Sequence, residues 1–330
     1  MPVTGGRAIH HCLRALTAAA AAVLVLAGCG GEQSASEQGG GNLSVSTGGT
    51  GGVYAVYGGG LADVISKNLE GYKATAETTS ASVDNIKLIA AGDSDIAFSL
   101  ADSAVDAVEG REDFEGPQPI RALAEIYTNY TQVATTADKG VESIEDLKGK
   151  RVSVGEPGSG TEIIALRILE AAGLDPDKDI ERSQLGVDES VAGVKDGSID
   201  AFFWSGGLPT GAVTDLATTE DLVLVPSGEY VAPLRKKYGE AYEDATIPKD
   251  TYKGLDADVS VVGVPNVLVV SEEMDDKLAK DLTKLLFDQK QQLVQVHPEA
   301  KNLDVAAAQK VVPPIELHPG AQQYYDEAGQ

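Results

Sequence analysis

Cysteine is nearly missing from this chain: 330 residues carry two, Cys12 and Cys29. A disulfide framework and a cysteine metal site both need more than that. Histidine is almost as scarce beyond the first residues. Only His297 and His318 remain there, both late and each followed by a proline, which fits no recognisable metal-ligand or triad spacing. Positive charge is short as well, with 26 Lys and Arg against 51 Asp and Glu and a net charge of −25. Such an acidic surface argues against a nucleic-acid partner and serves solubility. It also means that any anionic ligand has to be held by a local field.

The apolar run ALTAAAAAVLVLAG, preceded by Arg7 and Arg14, is too short to span a bilayer as a mature helix and ends in small residues. It reads as a secretory signal, and its loss, with two arginines and no acid, takes the charge to −27. Leu26-Ala27-Gly28-Cys29 resembles the lipobox of bacterial lipoproteins, which implies lipidation of Cys29 and a membrane anchor. GGEQSASEQGGG after it is a flexible hydrophilic tether. Residues 1–29 are thus expected as signal and lipobox, and 30–42 as tether.

The stretch LSVSTGGTGGVYAVY, Leu43 to Tyr57, breaks from an alternating apolar run into glycines and then into a helix-compatible segment. Strand, tight glycine loop and helix start together favour an anion, because glycine lets backbone approach a ligand and the helix start leaves N–H groups unpaired. A second copy follows: strand Arg151 to Val154, loop Gly155 to Gly160, helix Thr161 to Ala172. Both copies continue into helix, glycine, aspartate and apolar strand, at Gly92-Asp95 and at Gly197-Asp200. Gly48 to Gly92 is 44 positions and Gly155 to Gly197 is 42, a spacing that predicts two similar lobes. The second loop matches the glycines and Thr of a phosphate-binding P-loop but lacks its lysine, which disfavours nucleotide hydrolysis. Arg151 stands roughly 10 Å away along the strand at the usual rise, and Arg121 is the alternative cation from elsewhere.

Between the copies, Ser82 reads as the N-cap of a helix with Val83, Ile86, Ile89 and Ala90 on one face. IRALAEIYTNYTQVATTA reads as strand, turn, strand. DVSVVGVPNVLVVSEE reads as a strand pair whose Pro265 belongs at an edge or a crossing. Met274 to Leu293 reads as one long amphipathic helix. The segments near 126–136 and 258–270 are the hinge candidates, with lobe 1 over 43–132 and 260–330 and lobe 2 over 133–259. Tyr54 is placed at the ligand ahead of the core, Trp204 equally at either, and Asp95 and Asp200 at turns or strand starts. Asp102 is read as a helix cap ahead of a cleft residue.

The runs TGGTGGVYAVYGGGLA, SASVDNIKLIAAGDSDIA, DLKGKRVSVGEPGSGTE, FFWSGGLP and ELHPGAQQYYDEAG resemble, in order, the blocks of the TAXI family, solute receptors of tripartite ATP-independent (TRAP) transporters. The resemblance implies an α/β type II periplasmic-binding-protein fold, two lobes on a hinge with a ligand cleft between them. It implies an extracytoplasmic receptor that does no chemistry, needs no cofactor or metal, and hands a small organic anion to a sodium-coupled TRAP permease. Glutamate and 2-oxoacids are the associated carboxylates. Ligand positions then fall on Thr50, Gly51, Val53, Tyr54 and Ser82 from one lobe, and on Ser159, Gly160, Thr161, Trp204, Ser205 and Gly206 from the other. Two departures stand out: Ala81 replaces the family's glycine, and Trp204 and Ser205 occupy positions often smaller or apolar. The alternatives are the binding lipoprotein of an ATP-driven (ABC) importer with the same fold, and a secreted α/β enzyme.

Overall fold

The two strand–loop–helix copies fold alike in the computed structural model, which describes residues 40–329. The first runs β1 (Gly41–Ser46), α1 (Val53–Asn68), β2 (Tyr72–Glu77), α2 (Ser82–Ala91), β3 (Ile96–Leu100), then α3 (Ala101–Glu109) and β4 (Ile120–Thr136). The second runs β5 (Arg151–Ser153), α4 (Gly160–Ala171), β6 (Glu181–Ser183), α5 (Val187–Asp196) and β7 (Ala201–Gly206). After it come α6 (Gly211–Thr219), β8 (Leu222–Val225), α7 (Val231–Tyr238), β9 (Glu243–Ile247) and β10 (Val259–Ser271). Helices α8 (Asp276–Asp288), α9 (Lys290–Val296), α10 (Val305–Ala308) and α11 (Pro319–Ala328) close the chain.

One sheet carries the order β2-β1-β3-β10-β4-β7-β5-β6, with β8 on β4 and β9 on β10. β1 lies between β2 and β3, and β5 between β6 and β7, all parallel, so each half repeats one βαβαβ pattern. The shared spacing has a physical basis. Gly92 and Gly197 end α2 and α5 in the left-handed conformation, with φ of 76° and 78°. Asp95 then accepts the N–H of Ser44 at 2.8 Å and Asp200 that of Arg151 at 2.9 Å, each aspartate bonding the neighbouring parallel strand. Both are strand-start residues with the same task.

The chain passes from one half to the other along β4 and returns along β10, antiparallel to it from Gly263 to Ser271. The stretch expected as strand, turn, strand is the single 17-residue β4. It holds no glycine or proline to turn on, and its partner changes from β10 to β7 and β8 partway, so it stays paired throughout. β10 is likewise one strand. Pro265 sits where β9 pairing has ended at Gly263 and β3 pairing begins at Asn266, a gap that tolerates a residue without an N–H. The expected long C-terminal helix is divided at Gln289 into α8 and α9, and Met274 precedes it.

Ser82 is the first residue of α2 rather than its N-cap. That place belongs to Ala81 at φ 79° and ψ −141°, a backbone natural to glycine. Three apolar clusters fill the interior. One lies under the first half around Leu43, Tyr57 and Leu282, and one under the second around Val187, Phe202 and Val213. The largest runs through both, from Ile86 and Leu100 to Ile164 and Phe203. The signal, the lipobox with Cys29 and the tether up to residue 39 lie outside the described residues. The tether is shorter than expected, since Gly41 and Asn42 already pair with Tyr72 and Lys73. Among the described residues no helix is long and apolar enough to cross a membrane.

Candidate functional site

At the C-terminal ends of the six parallel strands, between the two halves, lies a cavity of about 250 Å³. Open α/β sheets place their ligands at this edge, because the loops there run into helix N-termini. Four helix starts meet here: Gly52-Val53 of α1, Ala81-Ser82 of α2, Ser159-Gly160 of α4 and Gly186-Val187 of α5. Their summed dipoles make the interior favourable to negative charge. Thr50, Gly51, Val53, Tyr54 and Ser82 line it from the first half, and Ser159, Gly160, Thr161, Trp204, Ser205 and Gly206 from the second. The structure therefore gathers all eleven candidate residues at one cavity.

Three hydroxyls around it are half used. Ser82 Oγ accepts from Leu100 N at 3.0 Å, Ser159 Oγ caps α4 by accepting from Glu162 N at 3.1 Å, and Thr161 Oγ1 accepts from Ser205 N at 3.2 Å. Ser159 and Thr161 keep their own O–H protons free to donate, whereas the Ser82 hydroxyl is shared with the Tyr54 phenol. Tyr127, 4% exposed, lines the same cavity, and its buried hydroxyl has no hydrogen-bond partner. Tyr54 divides its roles. Its ring packs 5.1 Å from Phe98 while lining the cavity, and its hydroxyl donates to Asn266 Oδ1. Burial pushes the phenol pKa of Tyr54 up, so the hydroxyl stays protonated. Asn266 Nδ2 then donates to Asn129 Oδ1 at 2.9 Å and Asn129 Nδ2 to the Ser205 carbonyl at 3.0 Å. This amide relay runs from α1 across β10 and β4 to β7. Trp204 is half-buried, its indole N–H held by Thr210 Oγ1 at 3.0 Å. The far edge of its ring lies 3.1 Å from the place of a Cβ on Gly52.

The halves touch around this space. The N–H groups of Val83 and Asp84 at the start of α2 donate to Gly158 O at 3.1 and 3.3 Å, so that helix start is partly spent on the opposite loop. Leu208 N donates to Glu299 Oε1 at 2.9 Å. Beside the cavity, Arg167 of α4 is 4% exposed; its Nη2 reaches Asp106 of α3 at 2.5 Å and its Nη1 reaches Tyr242 OH at 2.7 Å. Tyr242 in turn donates to Asp102 at 3.0 Å, and the Tyr238 ring stacks on the guanidinium at 4.0 Å. Asp102 is therefore neither a helix cap nor a cavity residue but part of a buried ionic knot between the halves. Burial raises its pKa, with Arg167 and the Tyr242 hydroxyl opposing, and moves Asp106 up to about 6.

Among the described residues, no Lys, Arg or His lines the cavity. Arg121 lies elsewhere, paired with Glu316 at 3.2 Å and Glu272 at 3.5 Å, and Arg151 is held by Asp200 at 2.6 Å. The charged lining residues are Glu156, Asp188 and Glu189, all acidic and all from the second half. Burial raises the pKa of Glu156, and the neighbouring Glu189 and Asp188 add to it. His297 and His318 have structural work: their Nδ1 atoms accept from Glu299 N and Gly320 N at the starts of proline-led helices, both at 3.2 Å.

Sequence reasoning missed the β6–α5 loop, Leu185 to Glu189, which is the counterpart of Thr78 to Ser82 in the first half. Carrying the internal repeat one strand further would have found it. Tyr127 and Asn129 lie mid-strand in β4 and leave no local signal at all.

A protein of Xanthomonas citri solved with chloride ion bound superposes with a TM-score of 0.51 at 12% identity, over 87% of this chain and 99% of that one. A protein of Bordetella bronchiseptica RB50 gives 0.50 at 18%, over 87% and 80%. The periplasmic aliphatic sulphonate binding protein SsuA of Escherichia coli gives 0.45 at 14%, over 86% and 82%. The first two likenesses bear on the fold alone. The NMT1-like family model matches residues 45–329, and the chain belongs to that family.

Proposed function

We propose that this chain is a lipid-anchored extracytoplasmic receptor of TAXI type, which closes its two lobes on a small carboxylate and delivers it to a TRAP permease. One observation carries the reading: the unspent hydroxyl protons of Ser159 and Thr161 and the starts of α1 and α5, which no side chain caps, converge on a single small cavity between the lobes. The volume suits a metabolite, being below the roughly 300 to 1,000 Å³ of sites for drug-sized ligands. Three or four hydrogen bonds to a charged group at about 1.5 to 3 kcal/mol each, with up to about 2 kcal/mol from each of two helix starts, reach micromolar affinity without a cation at the upper end of that range, after about 4 kcal/mol of association cost. The ordered sequence blocks, from the first glycine loop to ELHPGAQQYYDEAG, support the family assignment, and the LAGC sequence supports the anchor at Cys29. Glutamate and 2-oxoacids are the first candidates.

A thermal-shift screen of the chain lacking residues 1–29 tests this reading. A carboxylate at 100 times its Kd should add about 2.7 kcal/mol of stability. Response to neutral or cationic solutes alone, with none to any carboxylate, refutes it. A neighbouring gene for a permease-like membrane protein accords with the TRAP assignment, whereas a neighbouring ATPase gene moves the receptor to an ABC importer.

A further inference from the structure

The indole of Trp204, the only tryptophan in the chain, reaches along the cavity wall from the second half to the first. It lies over Gly206 of the same strand, where a Cβ would stand 2.3 Å from its Nε1, and its far edge ends 3.1 Å from the place of a Cβ on Gly52. Neither glycine is demanded by its own backbone. Gly52 has φ −100° and ψ 166°, extended angles that any residue adopts, and Gly206 has no positive φ. The ring is what keeps both positions bare. It is also fixed from behind. Its N–H donates to Thr210 Oγ1 at 3.0 Å, and that oxygen accepts from Gln132 Nε2 at 3.1 Å and donates to Gly207 O at 2.9 Å. Tyr252 OH donates to Gln132 Oε1 at 2.7 Å and accepts from Thr210 N at 2.8 Å. Gln132, Thr210 and Tyr252 are at most 3% exposed, and none of their side-chain polar atoms lacks a partner. A buried network satisfied in this way holds one geometry, so the ring does not swing aside.

We infer that Trp204 sets the chain length of the solute. The anionic end takes the hydroxyl protons of Ser159 and Thr161, and the indole, pinned between Gly206 and Gly52, bounds the space left for the rest of the molecule. A carboxylate that stops short of the ring fits. One more methylene meets a wall that can retreat neither into the first glycine loop nor away from Thr210, and the affinity falls by about tenfold or more. Thr210 is a positioning residue here, since it acts on the solute only through the indole. This inference rests on the receptor reading and adds to it the determinant of ligand length.

Calorimetric titration of the purified protein with two graded series tests it: the straight-chain 2-oxoacids from pyruvate to 2-oxooctanoate and the dicarboxylates from succinate to suberate. In the series that binds, affinity should hold up to one length and fall about tenfold at the next methylene. Trp204→Ala should remove the drop at that step and move it to a longer acid. Trp204→Phe, which keeps an aromatic ring on the strand but a shorter wall, should move it less and serves where the alanine variant is unstable. Thr210→Val should soften the drop and shift the emission of the one tryptophan, and Thr210→Ser, which keeps the hydroxyl, should restore both. A drop unmoved in both Trp204 variants overturns the inference and leaves the receptor reading standing, as does binding in the wild type with no change in tryptophan emission. Silence towards both series removes both.

Discussion

The two glycine loops share a plan and differ in charge. The first, Gly48 to Gly52, is almost bare backbone: no side chain caps α1, and its first turn carries no acid. The second is self-capped by Ser159, carries Glu156, and faces Asp188 and Glu189 in the first turn of α5. One jaw presents N–H groups, while the other presents donors and three carboxylates. A duplicated βαβαβ frame thus supplies matching helix starts, and substitution within the loops gives the cleft a polarity that duplication alone would not.

Breaking the knot that joins the halves should have the largest effect. Arg167→Met leaves Asp102 buried without a cation and Asp106 with Arg111 alone, at 3.1 Å; breaking a buried pair in this way typically costs about 3 to 5 kcal/mol. Urea denaturation at neutral pH should show it. The loss should shrink towards pH 5, because both carboxyls are then more easily protonated in the fold, whereas in the unfolded chain they ionise near pH 4. A loss unchanged with pH would show that packing rather than charge holds the halves at this point.

The shared strands carry a second strained charge. Glu125 of β4 has its pKa raised from 4.5 to about 7 by burial and by Glu243, whose Oε1 accepts from Thr128 at 2.6 Å. A carboxyl with a raised folded pKa favours the native state at low pH, and that advantage is lost as pH rises from about 4.5 through about 7. Glu125→Gln should therefore stabilise the protein at pH 8, by about 1 to 2 kcal/mol after allowance for solvent screening. The gain at pH 5 should be smaller. Melting curves at the two pH values compare them directly.

Two smaller changes sharpen the contrast between the loops. Ser159→Ala removes the α4 cap and should lower stability by about 1 kcal/mol, in addition to any loss of affinity. The first loop has no such side chain to lose. Ala81→Gly relieves a positive-φ alanine at the start of α2 and should raise the melting temperature slightly, a net gain of about 0.5 to 1 kcal/mol once the flexibility of glycine is deducted. A fall in stability there would mean that the Ala81 methyl group packs usefully against the loop at Gly48.

Much of the frame was legible because it is local. β5 ends one residue short of the expected strand, α4 begins one residue early, and Gly92 and Gly197 end their helices by backbone preference alone. Errors arose where neighbours decide. IRALAEIYTNYTQVATT looks like two strands until β10, β7 and β8 pair along its whole length. Ser82 looks like a cap until its hydroxyl is seen accepting from Leu100, 18 positions away.

By itself the sequence determined the repeat, the two glycine loops and the helix starts that follow them, since glycine conformation, capping and apolar period act within a few residues. Only the tertiary structure decided which of those groups remain free. Val83 and Asp84 spend their N–H groups on Gly158, and Tyr54 spends its hydroxyl on Asn266, 212 positions on. Tyr127 is left without a partner, and Glu156, Asp188 and Glu189 are brought to one wall. Hydrogen-bond satisfaction and charge balance are sums over neighbours in space, and a linear pattern does not contain them.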